Sequence, residues 1–317
     1  MRNHWTCVFL CLAAMSCASP DQGPAAADAG DPSSTAAIES KVLAAVAFNE
    51  GPAVAPDGTV YFSEIQGNRI LRVAPGGVWE EFRNPSGRAN GLAFDGEGRL
   101  VACEGAATGG NRRVTRTNLE TGEVEVLATE FEGKRLNSPN DLTIAEDGRI
   151  YFTDPRYGSQ DGRELETEDV YLIRPTGELE RVATAPDVTK PNGIALSPDE
   201  TALFVADTRP GPPSEARVVR FDVAEDGSLS NPSVHYSFGE GRGIDGMAID
   251  GEGRIYGAAG LSSNGPDNPP GVYVISPDGE LERILPVPED SSTNCTLSAD
   301  GKTLFVTAGK LLLEFGL

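Results

Sequence analysis

Residues 140–154 read Asn-Asp-Leu-Thr-Ile-Ala-Glu-Asp-Gly-Arg-Ile-Tyr-Phe-Thr-Asp. An oxygen-bearing residue leads a short apolar strand, Asp147-Gly148 reverses the chain, and Ile150 to Thr153 resume as a strand rich in aromatic and β-branched side chains. The pattern occurs six times. It starts at Glu50-Gly51-Pro52, Asn90-Gly91-Leu92, Asn140-Asp141-Leu142, Asn192-Gly193-Ile194, Asp245-Gly246-Met247 and Asn294-Cys295-Thr296. The turns follow at Asp57-Gly58, Glu97-Gly98, Asp147-Gly148, Asp199-Glu200, Glu252-Gly253 and Asp300-Gly301. In five repeats the turn acid lies seven residues after the leading residue, and in the last it lies six after. Successive leaders are 40, 50, 52, 53 and 49 residues apart, a spacing that suits four-stranded propeller blades.

Each interval has room for a second hairpin, such as Val170 to Ile173 with Leu179 to Val182, or Val272 to Ile275 with Leu281 to Leu285. The sixth repeat runs out after Leu311 to Phe315 and supplies only three strands, so Val42 to Phe48 is the natural fourth. The fold class expected is all-β: one six-bladed β-propeller over residues 42–317, closed by pairing of its N- and C-terminal strands. Closure removes edges that would otherwise invite aggregation.

Composition agrees and excludes some functions. The 37 Gly and 23 Pro residues suit many short strands better than long helices. With 48 acidic against 26 basic residues the net charge is −22, which excludes nucleic acid as a partner because no basic face can neutralise phosphates within that field. An anionic membrane surface is disfavoured for the same reason, and no protein partner is implied.

The N-terminus reads as a leader. Arg2 precedes a short apolar run, Trp5 to Met15, too short to span a bilayer. Ala14-Met15-Ser16-Cys17 resembles the lipobox of bacterial lipoproteins. Residues 1–17 are therefore expected to be a signal peptide, with lipidation at Cys17 or simple cleavage nearby as the two outcomes. Residues 18–41, rich in Ala, Pro, Ser, Asp and Gly, are expected to be a disordered tether. The chain would be exported, either periplasmic or held at the membrane by an N-terminal lipid. Two cysteines remain in the folded part, Cys103 and Cys295, readable as buried free thiols or as a disulfide.

In a propeller the leaders of equivalent inner strands form a ring at one mouth of the central channel. Here that ring is Glu50, Asn90, Asn140, Asn192, Asp245 and Asn294, all bearing oxygen and none bearing imidazole or thiolate. Two carboxylates in a narrow channel repel each other and call for a cation. Oxygen-only ligation favours Ca²⁺, then Mg²⁺ or Mn²⁺. The alternative is that Asn and Asp before Gly merely make turns. Histidine offers no other chemistry, since His4 lies in the leader and His235 in an outer strand, so a Ser-His-Asp triad is not expected.

Taken in order, Glu50-Gly51-Pro52, Asn90-Gly91-Leu92, Arg112 to Arg116, Ser138-Pro139-Asn140-Asp141, Tyr151 to Pro155, Pro191-Asn192-Gly193 and Asp245-Gly246-Met247 resemble the gluconolactonase, regucalcin and luciferin-regenerating-enzyme family. The resemblance runs from about Ala47 to Ala308. It implies a six-bladed propeller with one catalytic divalent cation, Ca²⁺ first and Mg²⁺, Mn²⁺ or Zn²⁺ as alternatives. It assigns metal ligation to Glu50, Asn192 and Asp245, places Asn140 against metal or substrate, and makes Asp245 the acid/base residue. The reaction it implies is opening of a sugar lactone, a small-molecule substrate. Asn90, Asn140, Glu104 and Asp154 are the candidate substrate contacts, with Asp154-Pro155 otherwise readable as a strand cap; Asn294 is a rim contact, and Arg112 either lines the pocket or forms with Arg113 an exposed pair countering the acidic surface. Three departures concern the pocket: Gly105 follows Cys103-Glu104 where many bacterial relatives have His, Ser138 replaces an Arg of animal relatives, and Thr296 to Asp300 replaces a Phe-Gly-Gly-Asp run. Diisopropylfluorophosphatase is similar in fold, which makes phosphotriester hydrolysis one alternative. A cell-surface binding propeller with a structural cation is another.

Overall fold

The computed structural model describes residues 39–106, 108–208 and 215–317. The expected leader, Cys17 and nearly all of the expected tether lie outside the described residues. Strand β1 (Ser40–Ala45) comes first, so regular structure begins two residues before the expected boundary at 42, and it stops short of Phe48. Blade 1 holds β2 (Asn49–Val54), β3 (Val60–Glu64), β4 (Arg69–Val73) and β5 (Trp79–Arg83). Blade 2 holds β6 (Ala89–Phe94), β7 (Leu100–Glu104), β8 (Arg113–Thr117) and β9 (Val124–Ala128), followed by a small hairpin, β10 (Glu130–Phe131) and β11 (Lys134–Arg135). Blade 3 holds β12 (Leu142–Ile144), β13 (Ile150–Asp154), β14 (Asp169–Ile173) and β15 (Leu179–Ala183). In blade 4 come β16 (Pro191–Leu196), β17 (Ala202–Asp207), β18 (Ala216–Val223) and β19 (Leu229–Gly239). Blade 5 contains β20 (Met247–Ile249), β21 (Ile255–Ala259), β22 (Gly271–Ile275) and β23 (Leu281–Pro286). Blade 6 contains β24 (Ser292–Leu297), β25 (Thr303–Ala308) and β26 (Leu311–Gly316), with β1 as its outer strand.

Among the described residues these are six four-stranded antiparallel sheets, and β1 pairs with β26 through Lys41–Glu314 and Ala45–Leu311. The propeller expected from the repeat is therefore present, with the expected closure. Second strands are buried from end to end, as in β3, β7, β13, β17 and β21, because each is covered by a blade on either side. Cores form between blades: Tyr61 and Ile70 pack on Leu92 and Leu100, and Tyr256 and Val274 on Leu304 and Val306.

The inner strands are stitched to one another by polar groups. Ser63 Oγ donates to the Asn90 carbonyl (2.8 Å), Thr153 Oγ1 to that of Asn192 (2.7 Å) and Thr293 Oγ1 to that of Asn49 (2.8 Å). The backbone N–H groups of Gly91, Gly193 and Gly246 donate to the carbonyls of Asn140, Asp245 and Thr293 in the following blade. A Cβ on Gly193 would lie 2.6 Å from the Asp245 carbonyl oxygen, and one on Gly91 2.7 Å from that of Asn140. The glycine after these leaders thus serves the close approach of the next blade, beyond any turn it makes.

This stitching corrects the sixth repeat. Ser292 pairs with Ala308 as Asn49 pairs with Glu64 and Pro191 with Asp207, and the Thr293 carbonyl receives the Gly246 N–H. Thr293 is therefore the structural leader, seven residues before Asp300 like the others, and Asn294 takes the place filled elsewhere by glycine. Asp141 takes the same place in blade 3. Inner strands neighbour one another in chain order around the ring, so blades 3 and 6 are opposite. Asn294 Nδ2 and Asp141 Oδ2 meet across the axis at 3.3 Å.

Candidate active site

Glu50, Asn90, Asn140, Asn192 and Asp245 line one cavity of about 770 Å³ at one mouth of the channel. The register breaks after Glu50, Ala89 and Pro191, and these irregularities take Asn90 and Asn192 out of the ladder while Glu50, opposite Ser63, is the last pair before its break. Five of the six expected ring members are thus brought together. Asn294 is not among them, because its position one residue beyond the leader directs it into a second chamber of about 330 Å³, which it lines with Asp141.

The two ring carboxylates differ in their partners. Asp245 Oδ1 accepts from Asn192 Nδ2 at 2.6 Å, and Asp245 Oδ2 is paired with Arg242 Nη2 at 2.6 Å. Burial pushes the Asp245 carboxyl upward, opposed by the Arg242 charge and the Asn192 amide. Glu50 is buried and receives only a long contact from the Gly51 N–H, 3.3 Å. Burial first, then the negative charges of Asp245 and Asp141, hold its carboxyl well above the usual range. Among the described residues, Asn90 Oδ1 is buried without a hydrogen-bond partner. Below the ring, burial raises Asp141 to about 7 despite hydrogen bonds from the Leu142 N–H and from Asn294.

The donor set fits a hard divalent cation. Two carboxylates that repel each other, Glu50 buried and Asp245 partly so, with three ring amides of which one is the orphaned Asn90 oxygen, suit oxygen-only ligation, and no imidazole or thiolate competes in the cavity lining. Among the described residues no group of three or more His, Cys, Asp and Glu side chains could hold a metal. A site at this mouth therefore joins the two ring carboxylates to neutral oxygens such as the asparagine amides.

Two expected substrate contacts lie elsewhere. Glu104 is fully buried and bound by Arg83, Arg113 (2.7 Å), Asn111 (2.5 Å) and Thr115 (2.9 Å). Asp154 accepts from the backbone N–H groups of Asn137 (2.7 Å) and Ser138 (2.6 Å). Both end second strands, as do Glu64, which accepts from the Ala47 N–H, and Asp207, which accepts from those of Thr189 and Lys190. Glu64, Asp154 and Asp207 fasten the segment entering their own blade's inner strand, so these acids hold the leaders in place and do not face the cavity. Arg112 is likewise no exposed partner of Arg113. It is 6% exposed and donates to the carbonyls of Leu136 (2.6 Å), Gly162 (2.8 Å) and Arg135 (3.3 Å), bracing the loops around Ser138. Cys103 and Cys295 are buried free thiols, as the first of their two readings had it. His235 sits in outer strand β19 against Phe204, away from the cavity lining.

The reading of the sequence passed over Arg242, Tyr157 and Asp141. Arg242 and Tyr157 line the cavity, and the Tyr157 ring lies on Lys190 Nζ at 4.7 Å with its hydroxyl 2.7 Å from Thr208 Oγ1. The available signal was for Asp141 alone: it breaks the glycine that follows four of the leaders.

Comparison with known proteins places this geometry. The chain is 29% identical over 290 residues to a gluconolactonase of Zymomonas mobilis, covering 83% of this chain and 76% of that protein. It superposes with a TM-score of 0.76 on a solved gluconolactonase of Xanthomonas campestris, 31% identical, over 88% of this chain and 89% of the other. A regucalcin of Agrobacterium tumefaciens, 21% identical, shares the fold with a TM-score of 0.70 over 88% and 94% of the two chains. Residues 48–310 match the description "SMP-30/Gluconolactonase/LRE-like region". With a match across nearly the whole propeller, the chain belongs to the SMP-30/gluconolactonase/LRE-like family.

Proposed function

We propose that this chain is a lactonase: it hydrolyses a cyclic carboxylic ester, with sugar lactones as the first candidates, at the mouth lined by Glu50 and Asp245. The observation that carries the reading is a pair of carboxylates, Glu50 buried and Asp245 partly buried, set among asparagine amides on one open cavity. Its relatives named as gluconolactonases support the reaction class. Glu50, Asn140, Asn192 and Asp245 would hold one divalent cation, Ca²⁺ by the hardness of their oxygens. Such an ion, when bound, polarises the ester carbonyl.

The rest of the chemistry falls to the chain. Arg242 fixes Asp245 Oδ2 and Asn192 Nδ2 orients Oδ1, whose remaining lone pair takes a proton from an attacking water, and burial makes this carboxylate a better base than an exposed one. The water oxygen bonds to the carbonyl carbon, the ring C–O bond breaks, and the proton passes to the departing ring oxygen. A hydroxy acid results. Asn90 and Asn140 at the cavity wall supply hydrogen bonds for the hydroxyls of a polar lactone. We further propose export through residues 1–17, with Cys17 either lipidated or lost by cleavage.

The test is a panel of lactones, with an organophosphate triester alongside, assayed on metal-depleted chain and after adding Ca²⁺, Mg²⁺ or Mn²⁺. Lactone turnover that chelator removes and metal restores is expected. Turnover of the triester alone would replace the reaction class, and metal binding with no turnover would leave a binding propeller.

A further inference from the structure

We propose that Arg242 is the resident counter-cation of this site: its guanidinium holds one oxygen of Asp245 and keeps the affinity of the ring for a divalent ion low, so that the ion exchanges with the medium. The inference rests on the cation reading above and concerns how tightly that ion is held.

The first observation is an asymmetry. Asp245 has a cation at 2.6 Å, whereas Glu50, equally part of the ring, is paired with none among the described residues. One carboxylate is already neutralised from within the chain. The second observation is that Arg242 cannot leave cheaply. Its Nη1 donates to the Gly260 carbonyl (3.1 Å) and the Ser292 carbonyl (2.8 Å), spanning blades 5 and 6. Its backbone N–H donates to Asn268 Oδ1 (2.8 Å), and Asn268, itself buried, gives Nδ2 to the Tyr273 hydroxyl (3.1 Å). Swinging the guanidinium out would strand two carbonyls and the Asp245 oxygen together.

An entering divalent ion would therefore share Asp245 with a fixed positive charge. In a partly buried setting, like charges a few ångströms apart repel by an amount comparable with a whole ligand's contribution. The ring offers two carboxylate charges and Arg242 cancels one of them. What remains suits an ion that comes and goes with its concentration outside, and the same clamp on Oδ2, with Asn192 on Oδ1, fixes the Asp245 carboxylate while the site is ion-free. Arg242 is on this account a positioning residue, acting through Asp245.

Calorimetric titration of Ca²⁺ and of Mn²⁺ into the purified chain tests this, with R242Q and R242M as neutral variants and R242K keeping the charge. R242M retains the apolar stem in case Gln disturbs the two carbonyls. The neutral variants should bind the ion about tenfold more tightly or better, and R242K should stay within about threefold of the parent. Melting should move in parallel: ion-free R242Q below the parent, with a larger rise on adding Ca²⁺. In lactone hydrolysis the neutral variants should lose kcat more than KM, because Asp245 is no longer clamped. Equal ion affinity in parent and neutral variants would overturn the role of Arg242 and leave the cation reading standing. Absence of heat and of any melting shift in parent and variants alike would overturn both.

Discussion

Glu50 carries the sharpest consequence of any one side chain. Its carboxyl is held high by burial and by Asp245 and Asp141, so its charge is a cost in the ion-free protein and would be a ligand for the proposed cation. E50Q should therefore raise the melting temperature of the ion-free chain, abolish most of the rise caused by Ca²⁺, and lower lactone turnover about a hundredfold or more. Lower ion-free stability in E50Q would contradict the account. Asp154 makes the complementary case away from the cavity. Burial pushes it up to about 7, above the 3.8 of an ordinary Asp, in spite of its two backbone donors. Between those values the folded chain keeps a proton that the unfolded chain has released, so this group's contribution to stability falls as pH rises from about 4 to about 7. D154N cannot titrate and can accept only one of the two N–H groups with its single oxygen. Urea midpoints at pH 4.5 and 7.5 should show D154N less stable than the parent by about 1–3 kcal/mol, with a smaller decline across the interval. An identical pH dependence in both proteins would sink the assignment.

At the level of strands, the leader and the glycine behind it work as a unit. Gly193 lets the Asp245 carbonyl come within 2.6 Å of its N–H, and an added Cβ would also stand 2.9 Å from Gly246 Cα. Backbone on both sides cannot give way as a side chain could. G193A should force the inner strands of blades 4 and 5 apart, costing about 2–4 kcal/mol and displacing both Asn192 and Asp245. G96A, where an added Cβ meets nothing within 4 Å, is the control expected to stay near the parent in the same urea titration. Similar midpoints for the two variants would show that the inter-blade approach is not what the glycine provides. The same unit explains what could be read in advance. A leader, an apolar strand and an acidic turn recur along the chain, so blade number and five ring members follow from spacing. Which acid faces the cavity does not: Glu104 and Asp154 sit at strand ends as promisingly as any ligand, and only the loop N–H groups and arginines around them show that they are anchors. Register was the other limit, since Thr293 carries no carboxylate or amide to mark it as the sixth leader while Asn294 beside it does.

Across the whole molecule, the ring is held by two different closures. One lies on the axis, where Asp141 and Asn294 reach over from opposite blades below the ring of leaders. The other lies at the rim, where β1 is the only strand of blade 6 contributed by the start of the propeller. Pairing of Ser40 with Phe315 and of Lys41 with Glu314 covers the hydrogen-bonding edge of β26, and Ala44 is buried against Phe62 and Leu312 in the core shared by blades 6 and 1. Chain beginning at residue 39 retains all of this, whereas chain beginning at residue 47 exposes an edge strand rich in leucine. For a fold of this size about 1 kcal/mol corresponds to a melting shift of roughly 2–4 °C, and loss of one outer strand with its core contacts exceeds that several times over. The shorter chain should melt at least about 5 °C below the longer one and form concentration-dependent aggregates in light scattering. The ring cavity, built from inner strands of blades 1 to 5, should still bind the ion when that shorter chain is kept cold and dilute. Equal melting of the two chains would mean that blade 6 stands without its borrowed strand, and that the axial contact and the inter-blade stitching are sufficient to close the propeller.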